Sequence, residues 1–150
     1  RTRGPGERGA DPVAVRGQPL SVFTWPGRVY WEDTDGGGLV YYANYLRFME
    51  RSRTEWLRAK GFSQAALARD PGILFTVVSV EAHYRLPARL DDELLISCEP
   101  RLDGRASIRF AQRILRGQEL LVEADVRVAC LAASTLRPVR LPPLVIAEVD

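Results

Sequence analysis

Lysine, histidine and methionine each occur once in this 150-residue chain, at Lys60, His83 and Met49, and cysteine occurs only twice. Cys98 and Cys130 lie far apart with no C-x-x-C partner, which argues against a redox or metal motif and for buried, reduced thiols in a cytoplasmic protein. With His83 as the one imidazole and no carboxylate or thiol cluster at ligand spacing, the expected metal is none and the expected cofactor is none. No apolar run approaches the roughly 18 residues of a membrane span, so no membrane insertion is expected. The first residue is arginine rather than methionine, so the lack of a signal-like segment carries little weight. Basic strands studded with aromatics are missing too, which argues against nucleic acid.

What is present is arginine. All of the 21 basic residues except Lys60 are arginines, against 19 acidic residues, for a net charge of +2. A guanidinium fork suits phosphate better than an ammonium does, so a nucleotide-bearing ligand is compatible with this composition. Residues 1–20, "RTRGPGERGADPVAVRGQPL", are rich in Gly, Pro and Arg without a period, and they read as a disordered tail. Residues 21–150 read as one domain.

Strand signals begin at "RVYWE", residues 28–32. From Tyr42 onward, Tyr42, Tyr45, Leu46, Met49, Trp56 and Leu57 recur at three- and four-residue spacing, which predicts a long amphipathic helix. Arg53 falls inside that apolar stripe and so reads as a paired or interface position. Gly61 in "KGFS" is placed to cap the helix, and "SQAALARDPG" predicts a short second helix stopped by Pro71 and Gly72. Four long β-prone runs follow, "ILFTVVSVEAHYR", "DELLISCEPRL", "RASIRFAQRILR" and "QELLVEADVRVACLAAS". Their short links favour antiparallel neighbours. The last 15 residues before the terminal aspartate, "TLRPVRLPPLVIAEV", read as a tail. The expected fold is α+β, one long helix on an antiparallel sheet of about five strands.

Between the first strand and the helix lies "EDTDGGG". Its cheapest local explanation is a turn, with Asp capping and Gly supplying positive φ. A calcium loop fails, because Gly37 and Asn44 stand where oxygen ligands are needed, and a phosphate loop fails for want of a following lysine. One functional reading survives. Unpaired amides at the helix start, around Tyr42, can bind a carbonyl oxygen as it gains charge, while an aspartate seven residues earlier reaches the carbonyl carbon or holds a water against it.

The stretch "RVYWEDTDGGGLVYYANYLRFMERSRTEWLR" resembles the signature of the hotdog-fold thioesterases, and within them the Tol-Pal system-associated acyl-CoA thioesterases of the 4-hydroxybenzoyl-CoA thioesterase group. "YRLPARLDDELLI" and "TLRPVRLP" agree with the same family. The resemblance implies a long helix wrapped by a curved antiparallel sheet, homodimers or homotetramers formed through sheet edges, and active sites at dimer interfaces. It also implies hydrolysis of an acyl-CoA, with a short aliphatic or aromatic acyl group favoured over a long one and an acyl carrier protein as a second candidate carrier. Carried over by position, the catalytic carboxylate falls on Asp35 and the carbonyl-polarising amide on Tyr42, leaving Asp33 as a turn residue. Relatives carry histidine in a "VYHANY" context where this chain has "VYYANY"; the swap leaves a main-chain contribution intact.

Within that resemblance Asp35 has two routes, direct attack through an anhydride or activation of water, and the residues do not choose between them. Arg105, after the expected "DG" turn, stands where a relative would place a phosphate contact to CoA; Arg137 and Arg140 have a weaker version of the same claim. Tyr41, Tyr42 and Tyr45 read either as pocket lining or as core. His83, in the alternating run "VEAHYR", reads as a sheet or interface residue. The competing function is a non-catalytic module that binds acyl-CoA or an acyl carrier protein in the same groove.

Overall fold

The computed structural model describes residues 22–149, so the tail expected over residues 1–20 lies outside the described residues. The four β-prone runs form β2 (Ile73–Tyr84), β3 (Glu93–Asp103), β4 (Ser107–Arg116) and β5 (Glu119–Ala132). With β1 (Phe23–Arg28) they make one sheet in the order β1-β3-β4-β5-β2, and every neighbouring pair is antiparallel. The expected α+β architecture of one long helix on five strands is what forms.

The first strand lies earlier than "RVYWE" suggests. β1 is "FTWPGR", and residues 31–33 instead form a single 3₁₀ turn. Pro26 and Gly27 mask this strand in sequence, but β1 pairs only with β3, and an edge strand tolerates a proline that a central strand would not.

Helix α1 runs Tyr45–Ala59, entered through a 3₁₀ turn at Tyr42–Asn44. Its buried face is Tyr45, Phe48, Met49, Ser52, Trp56 and Leu57, so the apolar stripe is rotated from the expected one: Phe48 and Ser52 turn inward while Tyr42 and Leu46 stay exposed. The helix stops as expected at Gly61, whose φ of +94° only glycine adopts without strain. There Gly61 N–H donates to the Arg58 carbonyl (2.9 Å) and Phe62 N–H to the Leu57 carbonyl (3.1 Å), the paired bonds of a Schellman ending. The short second helix, α2, spans Gln64–Arg69.

The C-terminal stretch is not a tail. Pro143–Val149 forms helix α3, which buries Val145 and Val149. Pro143 at its first position masks the signal, because a helix loses nothing by lacking an N–H there.

Between α1 and the sheet the core is mostly aliphatic, with a small polar cluster at its centre. Ser52 donates to the Ile96 carbonyl (2.9 Å), and the buried Gln112 donates from Nε2 to the Met49 carbonyl (3.0 Å). Gln112 Oε1 accepts from Arg53 Nη1 (2.9 Å), which is the pairing that Arg53's place in the stripe calls for. Cys98 and Cys130 are both buried and unpaired, and burial pushes both thiols above their ordinary range, as inert core cysteines require.

Candidate active site at the helix entrance

Residues 33–42 fold as a short hairpin that delivers the chain into α1. At its root the Asp33 carboxylate accepts the Tyr30 N–H (2.8 Å), and the Asp33 carbonyl accepts both the Tyr41 N–H (3.0 Å) and the Asn44 side-chain amide (2.9 Å). Asp33 is 5% exposed, and its bonds hold the hairpin root together. This is the turn residue that the sequence suggests.

Above the root, Thr34 bridges Val40, and Asp35 N–H donates to the Leu39 carbonyl (2.8 Å). Gly38, with φ of +79°, closes the turn. Asp35 itself is exposed. Its Oδ1 accepts one bond, from the Gly37 N–H (2.8 Å), a side-chain turn that pins the carboxylate while leaving Oδ2 without a partner among the described residues.

Tyr42 follows at the other end of the hairpin as the first residue of the 3₁₀ turn. Among the described residues no acceptor takes its N–H, as expected of a first-turn amide. Its ring packs edge-on against Tyr84 of β2, with centroids 6.2 Å apart. Tyr45 belongs to the core: it is buried, and its hydroxyl accepts the Ala88 N–H (2.9 Å). Burial pushes that phenol above its ordinary value, keeping it a neutral hydroxyl. Tyr41 and Tyr42 are exposed.

The hairpin is braced from outside by residues 86–92, within "YRLPARLDDELLI". Val40 N–H donates to the Ala88 carbonyl (2.9 Å), Leu90 N–H to the Gly38 carbonyl (3.2 Å), and Leu39 bridges Arg89. Asp92 locks the brace, accepting from the Arg89 N–H (2.8 Å) and from Arg116 Nη1 (2.7 Å), while Arg116 also reaches the Pro87 carbonyl (3.2 Å). The structural purpose of this stretch is invisible in a single sequence, because its partners are 29 and 24 residues away from Arg116 and some 50 from the hairpin.

Arg105 is not beside Asp35. The hairpin root is tied to the start of β3 through Val29 and Asp92, whereas Arg105 occupies the turn after its end, about 33 Å along the strand. There the Arg105 carbonyl accepts the Leu141 N–H (2.9 Å), which brings the segment carrying Arg137 and Arg140 alongside. All three arginines are exposed, so one end of the sheet carries the candidate acid and the opposite end a cluster of cations. His83 takes part in neither; it lies on β2 beside Glu81, 3.3 Å away. Among the described residues no group of three His, Cys, Asp or Glu is placed to hold a metal ion.

A cavity of about 200 Å³ opens between the C-terminal half of α1 and the sheet, walled by Trp56, Leu57, Phe75, Ile108, Phe110 and Val128. Arg53 enters it from α1, and Val77 closes it on the β2 side. Sequence reading singled out Arg53 but not the cavity, since its walls come from four separate elements.

Comparison with known proteins fixes the relationship. Residues 29–149 match the thioesterase-like superfamily. The acyl-CoA thioesterase YbgC of Haemophilus influenzae is 42% identical over 120 residues, covering 80% of this chain and 88% of that protein. The acyl-CoA thioester hydrolase YbgC of Escherichia coli O6:H1 is 45% identical over 129 residues, covering 85% and 96%. Among solved structures, the Probable Thioesterase from Bartonella henselae aligns with a TM-score of 0.77 at 37% identity, over 81% of this chain and 100% of that one. SAV2348 from Staphylococcus aureus, solved in complex with CoA, shares the fold with a TM-score of 0.78 at 14% identity, over 85% and 81%. With its five-stranded antiparallel sheet carried against one long helix, the chain belongs to the thioesterase-like superfamily of the hotdog fold.

Proposed function

We propose that the protein is an acyl-CoA thioesterase, hydrolysing the thioester of a short aliphatic or aromatic acyl-CoA to the free acid and CoA. The observation that carries this reading is the entrance hairpin: an exposed Asp35 carboxylate with one bond and a Tyr42 amide with none among the described residues, on one braced element at a helix start. The thioester oxygen accepts the Tyr42 N–H, which stabilises it as negative charge develops. Asp35 then attacks the carbonyl carbon, giving an anhydride that water opens, or takes a proton from a water that attacks directly. Either way the C–S bond breaks, the sulfur leaves and is protonated to the CoA thiol, and the acyl carbon keeps the water oxygen. The names borne by the Haemophilus and Escherichia relatives support the same activity.

The cavity supports the acyl preference. An engineered apolar cavity of roughly 150 Å³ holds a benzene ring, so about 200 Å³ has room for a benzoyl-sized or short aliphatic group. Within one protomer, however, Tyr42 is separated from Arg53 by eleven helical steps, roughly 16 Å.

A second copy removes that gap. β2 is a 12-residue edge strand that exposes Leu74, Val77, Val78, Val80 and Tyr84, a row that calls for a pairing strand. Antiparallel pairing of β2 with its own copy about the Val78–Ser79 step exchanges the strand's two ends. Tyr84, with the Tyr42 ring against it, then lies beside the Phe75 and Val77 end of the other copy, where the cavity opens. The same two-fold axis carries the Arg105 cluster to the Asp35 end, where it meets CoA phosphates. The protein is thus proposed as a homodimer or a tetramer of such dimers, with acyl-CoA as substrate and an acyl carrier protein as a second possible donor.

The test is a hydrolysis panel of short aliphatic, long aliphatic and aromatic CoA esters on the wild type and on Asp35→Asn. Turnover of the short and aromatic esters, lost in the variant while binding survives, is the expected result. Binding of CoA esters with no hydrolysis of any would make the protein a binding module instead.

A further inference from the structure

The cavity under α1 is not uniformly apolar, and the exception is a guanidinium. Arg53 is partly buried between helix and sheet, and desolvation pulls it below its ordinary value. Its one hydrogen bond goes to a neutral acceptor, Gln112 Oε1. Among the described residues it makes no ion pair, although the chain's surface arginines pair freely: Arg85 with Glu123, Arg109 with Asp125, Arg127 with Asp103. Glu50, an acid that lines the same cavity, is exposed and accepts the Thr54 hydroxyl (2.9 Å).

The remaining donors of Arg53 therefore have no acceptor among the described residues. No fully enclosed side-chain polar atom among the described residues is left without a partner, so those nitrogens face open space, and the space they adjoin is the cavity. A desolvated cation of this kind is normally matched by a bonded anion, because burying a charge unpaired is costly. Two free N–H groups of a guanidinium form a fork that fits the two oxygens of a carboxylate.

Granted the acyl-CoA thioesterase reading on which it rests, we infer that Arg53 is a specificity-determining residue that selects acyl groups bearing a carboxylate at the end far from the thioester. The substrate class is the CoA monothioester of a short dicarboxylic acid. The apolar walls, Trp56, Leu57 and Phe110 among them, take the intervening carbons, and Arg53 takes the terminal carboxylate at the inner wall. Glu50 lines the same cavity and repels that carboxylate, but it does so through solvent. The attraction to Arg53 acts across the partly buried interior, where a charge pair is about fourfold stronger than in bulk water. Gln112 fixes the guanidinium plane from behind, itself anchored to the Met49 carbonyl of α1.

The experiment compares two five-carbon esters, glutaryl-CoA and pentanoyl-CoA, which differ only at the distal end. In the wild-type protein kcat/KM is expected to favour glutaryl-CoA. In Arg53→Met the ratio of the two is expected to fall by roughly 10- to 100-fold, the worth of hydrogen bonds to a charged group, and Arg53→Lys should keep part of it. A wild type that prefers pentanoyl-CoA, or an Arg53→Met variant that loses both esters in equal proportion, would overturn the assignment, the second result marking Arg53 as structural. If the wild type hydrolyses neither ester, the thioesterase reading is judged separately, by the rest of the panel. The ratio of the two Kd values, measured by calorimetry on wild type and Arg53→Lys, then decides the role of Arg53 by the same criterion.

Discussion

The root and the tip of the entrance hairpin each carry an aspartate, two residues apart, and the two are built in opposite ways. Asp33 is buried; its carboxylate accepts the Tyr30 N–H, and its carbonyl accepts the Tyr41 N–H and the Asn44 side-chain amide. Asp35 is exposed, and its carboxylate accepts a single bond among the described residues, from the Gly37 N–H. A carboxylate committed to neighbouring amides fixes a shape, whereas one that is pinned at one oxygen and open at the other can meet a ligand. The difference separates a residue that makes the hairpin from one that uses it.

The sharpest way to break this comparison is Asp35→Asn. The amide oxygen still accepts the Gly37 N–H, so the turn and the unfolding temperature should hold. The negative charge is lost, and turnover of a short acyl-CoA should fall on the order of 10²- to 10⁴-fold. Retained turnover in steady-state assays would remove Asp35 from the chemistry.

If two copies complete the site as proposed, the tip also depends on a surface that the root does not. Of the two sheet edges, β1 is six residues long and interrupted by Pro26 and Gly27, whereas β2 is twice that length and free of both. A lysine at an edge position opposes strand addition, so Val80→Lys should weaken self-association by roughly 30-fold or more. Sedimentation would show the mass of a single chain at low concentration, with hydrolysis lost in parallel and circular dichroism unchanged. Full activity in such a monomer would mean that one protomer holds the whole site.

How much of this was legible in the residues follows the range over which each feature is set. The four long strands, the Gly61 ending of α1 and the short α2 announce themselves locally, through alternation, caps and breakers. β1 and α3 do not, because Pro26 and Pro143 are tolerated only by virtue of an edge and of a first helical turn, which are facts of topology. At the site, Asp33 is the turn residue that the sequence suggests, and of the two readings that the sequence left open for Tyr45 the structure takes the core one. The brace of residues 86–92, the distance of Arg105 from Asp35 and the cavity around Arg53 depend on contacts between distant segments. No spacing within one stretch encodes them.

A smaller effect is expected at the root. Asp33→Ala takes a charged acceptor from the part-buried Tyr30 N–H, which should cost about 1–3 kcal/mol in urea unfolding. Activity should decline only as far as the hairpin loosens. If Asp33→Ala were as inactive as Asp35→Asn with its stability intact, the division between root and tip would be wrong.

The smallest effect tests whether the root needs its brace. Asp92 is raised by partial burial, but the Arg116 guanidinium and the Arg89 N–H outweigh that and hold its carboxyl below the ordinary 3.8. A carboxyl depressed in the folded state stabilises that state fully above its ordinary value, and loses the contribution as pH falls from there toward the folded one. The pair is partly exposed, so the worth is about 1 kcal/mol or less. Wild type should therefore exceed Asp92→Asn in stability at pH 7, and the gap should narrow by pH 3 in urea titrations run at both. A gap that stays constant would mean that backbone bonds alone, Val40 to Ala88 and Leu90 to Gly38, hold the hairpin in place. Asp92 would then be a spectator to the positioning of Asp35.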